Sequence, residues 1–173
     1  MNEMQKDISP PEKIYRLMGT RTEARAAINE VVALARREIR VFDASPALLK
    51  EHEFGQAARI EALRAMLLAS RDHKLRIVLH DARSIESEVP RLVALLTQFS
   101  GQVHIHRTVG QAVEAHDPMV LADDAHFWHK LHIDHPRSVM TLHSATDTRP
   151  FLERFEEIWD QSESAVTGSS LGL

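Results

Sequence analysis

Cysteine is absent from the 173 residues. That excludes disulfides, thiolate metal sites and a cysteine nucleophile. Tyrosine occurs once, a low count for this length. No stretch approaches the roughly 18 consecutive apolar residues of a membrane span. The opening MNEMQKDISP has no apolar run of the kind a signal peptide needs. A cytoplasmic location without a membrane partner is the expectation. There is no glycine-rich phosphate loop, P-loop or GxSxG elbow, and no motif calls for a cofactor. A global basic field is also missing. The net charge is −4, and the segment 150–173, with Arg154 against Glu153, Glu156, Glu157, Asp160 and Glu163, accounts for all of it. Net charge therefore gives no indication of nucleic acid or anionic lipid, although a local basic patch stays open.

What is present fits one soluble globular domain, with 43% apolar and 27% charged residues. Residues 1–19 are expected to be a flexible arm and 163–173 a disordered tail. Between them, the pattern over 20–162 alternates. Thr20 to Glu23 has capping-box spacing, and Ala24, Ile28, Val31 and Ala35 continue as a helical stripe. Residues 38–43, 75–80 and 102–106 read as strands. Helices are expected over 56–70, on Ile60, Leu63 and Leu67, and after Ser84 or Ser87, on Leu92, Leu95, Leu96 and Phe99. Three strand-and-helix units in series argue for an α/β fold with parallel strands. Then 116–121, 127–133 and 138–143 read as three strands joined by short turns, which implies antiparallel hairpins. A last amphipathic helix carries Phe151, Phe155 and Ile158, with Trp159 at its edge.

The first hairpin run contains HDPMVLAD. A histidine precedes Pro118 by two residues, and Asp123 follows after four more. This stretch resembles the His-x-Lys-x4-Asp motif of the phospholipase D superfamily at two of its three fixed positions. The order of elements and the acid-rich FLERFEEIWDQS helix resemble one half of such an enzyme across roughly residues 20–162. The resemblance is to a small bacterial phospholipase D-like domain with a single degenerate motif. It implies an α/β fold with a mixed sheet, parallel strands followed by antiparallel hairpins, flanked by helices.

The resemblance also implies chemistry. One histidine attacks phosphorus while a second protonates the leaving oxygen. A lysine two residues along the strand shares its face and supplies fixed charge. The aspartate orients the imidazole. Carried over, His116 is the nucleophile or acid and Asp123 the orienter, while Pro118 brings neither charge nor donor. The Gly-Ser and Asn that follow the motif in the family are not recognisable in AHFWHKLHIDHPRS. A chain with one motif must form a homodimer to build a complete site.

Other residues could bind. His80-Asp81 and Asp43 fall at the carboxyl ends of expected parallel strands, where such sheets present ligands. His106 and Arg107 are expected at the same rim, and hairpin pairing is expected to bring Lys130 near the 116–121 run. His126, His129, His132 and His135 recur every third residue, a spacing that suits neither a strand nor a helix face. At most two share a face, whereas zinc needs about four ligands. His104 and His106 share a face by parity. Three readings follow. One is a catalytically degenerate domain serving as a binding or interaction module, with a vestigial pocket for a phosphate-containing ligand and a protein partner the sequence does not name. The second is an active nuclease or phospholipase that uses His116 in a homodimer. The third is a histidine-rich metal-binding protein.

Overall fold

The structure is a computed structural model that describes residues 9–166. The chain runs β1 (Ile14–Met18), α1 (Arg21–Leu34), β2 (Glu38–Asp43), α2 (Pro46–Glu51), α3 (Ala57–Ala69), β3 (Lys74–Leu79), α4 (Ile85–Glu88), α5 (Pro90–Gln98) and β4 (Val103–Thr108). A short 3-10 turn (Gly110–Glu114) leads to β5 (Met119–Ala122), β6 (His126–Lys130), β7 (Ser138–Leu142), α6 (Ala145–Asp160) and β8 (Ser162–Val166).

The expected capping box opens α1. The Thr20 hydroxyl accepts from the Glu23 amide at 3.2 Å, and the Glu23 carboxylate accepts from the Gly19 and Thr20 amides at 2.8 and 3.1 Å. Those backbone donors, Gly19 first, hold the Glu23 carboxyl below its ordinary pKa. The helix expected after Ser84 divides into α4 and α5. Val89 breaks it with φ −133°, because the proline ring at 90 pushes the preceding residue out of the helical region. Pro90 then serves as the first helical residue of α5.

All eight strands form one mixed sheet in the order β1-β7-β6-β5-β2-β3-β4-β8. β2 pairs in parallel with β3, and β3 with β4. Every other pair is antiparallel, including the β5-β6 and β6-β7 hairpins. Alternate side chains divide between two cores. On one face Val41, Ile77, Ile105, Val120 and Trp128 pack beneath α1, α3 and α5. On the other, Phe42, Val78, Met119, Leu121 and Phe127 pack against Phe155 and Ile158 of α6. Arg76 ties α6 down, reaching Glu38 at 2.6 Å and Glu156 at 2.5 and 3.0 Å.

Three expectations change. Residues 14–18 of the expected arm are β1, paired with β7. Residues 163–166 of the expected tail belong to β8, paired with β4. Of the rest of those segments, 1–8 and 167–173 lie outside the described residues. The run 116–121 becomes a strand only at Met119. Pro118 has no N–H to continue the ladder, although the His116 and Pro118 carbonyls still accept from Ile133 and Lys130 at 2.9 and 2.8 Å.

Two histidines make this fold sensitive to mild acid. His106 stacks on Trp159 with ring centroids 3.9 Å apart and bonds Ser162 through Nδ1 at 2.8 Å. Burial first, then the charges of His104 and Arg76, push its pKa below 6.5. Burial and then His143 do the same to His126. Below about pH 6.5 the unfolded chain takes up protons that the folded chain resists. The contribution of these two groups is therefore full above that pH and is lost as pH falls through the folded values. The melting temperature should fall between about pH 7.5 and about pH 5.5. A His106→Gln/His126→Gln double variant should fall less over the same range. An equal slope in the two proteins would refute the assignment.

Candidate functional site

Parallel strands deliver their carboxyl ends to one rim of the sheet. Asp43 closes β2, His80 follows β3, and Thr108 closes β4. The 3-10 turn brings Ala115 and His116 to the same rim. His80 is held at both nitrogens, with Nδ1 2.8 Å from the Thr108 hydroxyl and Nε2 2.7 Å from the Ala115 carbonyl. A carbonyl only accepts, so Nε2 carries the proton, and in the neutral ring Nδ1 accepts from Thr108. His80 is thus a strut between β3, β4 and the turn.

His116 is exposed, and among the described residues its ring makes no hydrogen bond. Its centroid lies 6.4 Å from that of His80 and 5.5 Å from that of His132, and His132 is 5.9 Å from His135. Four imidazoles therefore stand in file along the rim. Spacing could not show this, because the chain leaves the strand after Lys130 and turns back toward His116. Asp117 faces Arg154 at 3.2 Å and His129 at 3.6 Å. Burial opposes its charge, yet His129 and the Arg154 guanidinium beside it outweigh burial and keep the carboxyl below its ordinary pKa.

Asp123 stands apart from His116. β5 runs antiparallel to β2 with Met119 beside Phe42 and Ala122 beside Ile39. Asp123 thus lies next to the start of β2, at the far end of β5 from the rim. Its carboxylate accepts from the backbone amides of Arg36, Arg37 and Glu38 at 2.9, 2.8 and 3.0 Å.

The other sequence candidates divide between two places. His80, Asp81 and Arg107 line a cavity of about 720 Å³ beside β8. Asp81 is gripped by Arg83 at 2.7 Å, and hydrogen bonds from Arg83 hold its carboxyl at about 2. Arg107 pairs with Glu163, and His106 is turned onto Trp159. Lys130 lines a different cavity of about 450 Å³, with His52, Trp128 and His135. Its side chain caps the following turn, with Nζ donating to the Ile133 carbonyl at 2.8 Å. His52 was not legible as a site residue. Its Nδ1 lies 2.8 Å from the buried Asp43 carboxylate, a pairing made between the end of β2 and the end of α2. A carboxylate-backed imidazole of this kind has a fixed tautomer and a directed Nε2. Among the described residues no three His, Asp or Glu side chains are placed to hold a metal ion, and no helix is long and apolar enough to cross a membrane.

The mixed sheet, with parallel central strands and antiparallel hairpins, is a fold shared with solved phospholipase D family structures. Nuc from Salmonella typhimurium, a phospholipase D family member, superposes with a TM-score of 0.60 at 14% identity, over 90% of this chain and 100% of Nuc. NucT from Helicobacter pylori gives 0.56 at 12% identity, over 88% and 99%. TrmBL2, an archaeal chromatin protein whose structure shows a novel mode of DNA binding, gives 0.59 at 16% identity. The alignment with TrmBL2 covers 93% of this chain and 57% of that protein. By sequence, the chain belongs to the family described as Domain of unknown function (DUF7931), whose model matches residues 20–169. Among curated proteins none matches it.

Proposed function

We propose that the chain is a catalytically degenerate phospholipase D-like domain, a binding module that takes a phosphate-containing ligand at its histidine rim without cleaving it. One observation carries this reading: His116 has neither the lysine two residues on nor, among the described residues, any hydrogen bond that would orient its ring. Phosphoryl transfer through a histidine depends on both, since the nucleophile must be aimed and the developing charge must meet a fixed donor. Losing one such donor costs about 10²–10³ in rate. The carboxylate that should aim the ring instead binds three amides at the other end of β5.

Hydrolysis of bis-p-nitrophenyl phosphate without added metal tests the reading. Neither the parent nor His116→Ala is expected to exceed the buffer rate. Turnover by the parent that disappears in His116→Ala would establish a phosphodiesterase and end this proposal.

A further inference from the structure

The cavity of about 450 Å³ between α1, the end of α2 and the turn after β6 holds groups that the motif outline leaves unused. The Trp128 ring lines it, is 1% exposed, and has an indole N–H with no hydrogen-bond partner among the described residues. Buried donors are normally paired, so an unpaired one beside a cavity marks a place for an acceptor. His52 lines the same cavity and is 7% exposed. One oxygen of Asp43 accepts from the Ala44 amide at 2.8 Å, and the other lies 2.8 Å from His52 Nδ1. The His52 proton therefore sits on Nδ1, and Nε2 has no hydrogen-bond partner among the described residues. Lys130 spends one N–H on the Ile133 carbonyl and retains two, since an ammonium carries three donors.

Of the two acids in the lining, Glu51 lies 3.4 Å from Arg21, and the Asp134 carboxylate is exposed to solvent while its amide donates to His132 Nδ1 at 3.2 Å. The unpaired groups are thus an ammonium and an indole N–H, which donate, and His52 Nε2, which accepts. Donors beside an acceptor suit a phosphomonoester, whose P–OH can donate to Nε2. A phosphodiester has no such proton.

Register connects this cavity with the missing lysine. The Lys130 amide bonds the Pro118 carbonyl, and Val120 faces Trp128 across the same hairpin. Residues opposite one another share a face. Lys130 therefore projects from the face on which a lysine at 118 would stand. Imidazole, carboxylate and ammonium are all present, supplied by His52, Asp43 and Lys130.

We propose that this cavity, which meets the histidine rim at His135, is the phosphate seat of the domain and that it takes a phosphomonoester, bound by Lys130, His52 and the Trp128 indole, with Asp43 as the positioning residue. The proposal rests on the phosphate-binding reading above and narrows its ligand. The test titrates the full chain, carrying Trp159→Phe so that Trp128 alone fluoresces, with methyl phosphate and with dimethyl phosphate. Methyl phosphate is expected to shift the Trp128 emission and to bind at least about tenfold more tightly than dimethyl phosphate, as befits an added charge-assisted hydrogen bond. Lys130→Gln and His52→Gln should each weaken it about tenfold, and the exposed Arg71→Ala should not. His52→Gln keeps a donor for Asp43, and Lys130→Gln changes a side chain outside the core, so folding, checked by thermal melting, survives in at least one of them. Methyl phosphate binding that neither variant weakens overturns this seat and leaves the phosphate-binding reading in place. Equal or tighter dimethyl phosphate binding overturns the monoester assignment. No binding of either compound overturns both readings.

Discussion

Replacing Asp123 with alanine is expected to destabilise the fold by about 3 kcal/mol, without any effect transmitted through His116. The carboxylate accepts from three consecutive amides, those of Arg36, Arg37 and Glu38, and so closes the link between α1 and β2. Hydrogen bonds to a charged acceptor contribute about 1.5–3 kcal/mol each when protected. Two of these three are solvent-exposed and contribute only about 0.5 kcal/mol each, which keeps the total near about 3 kcal/mol. The backbone adds to the effect. Asp123 has φ +53°, a left-handed conformation that alanine adopts with strain and that asparagine and aspartate tolerate. Asp123→Asn should therefore cost about half as much as the alanine variant, since it keeps the conformation and one acceptor oxygen. Urea denaturation of the three proteins decides the matter. An alanine variant within about 1 kcal/mol of the parent would show that the bracket is dispensable.

Phe155→Ala should cost more, about 4 kcal/mol. Phe155 is fully buried and packs with Phe42, Met119 and Phe127, and the Arg76 guanidinium lies over its ring at 5.3 Å from the centroid. Truncation would remove the apolar contacts, leave a cavity and uncover the guanidinium that joins Glu38 to Glu156. α6 supplies two fully buried apolar side chains, Phe155 and Ile158, to this face. The sheet face should become accessible to a hydrophobic dye at a lower urea concentration than in the parent. A loss below about 2 kcal/mol would mean that the site collapses around the gap and that α6 docks chiefly through its polar contacts.

Much of this architecture could be read from periodicity. Ile39, Val41 and the aliphatic run 75–79 announce buried parallel strands, and Ile28 with Val31 or Leu92 with Leu95 and Leu96 announce helix faces. β1 and β8 could not be read so easily. Of β1 only Met18 is buried, and β8 has no buried residue, so neither shows an apolar alternation. The partners that make them strands lie far along the chain. The rim was legible in part. His80 and Asp43 are placed by their strands, but His52 becomes a partner of Asp43 only because α2 folds back over the end of β2. Asp123 was legible as a motif position and not as a bracket, since its partners are amides more than eighty residues earlier.

The pairing of β1 with β7 has a consequence for the order of folding. Ile14 must meet Leu142 and Met18 must meet Ser138, so this edge requires the ends of a very long loop to come together. Little apolar burial rewards that closure, because four of the five residues of β1 remain exposed. The hairpins of β5, β6 and β7 involve only local contacts and can form early. β1 is then the last strand seated and the first to leave, and the β7 edge can stand open while the carboxyl ends of β2, β3 and β4 stay assembled.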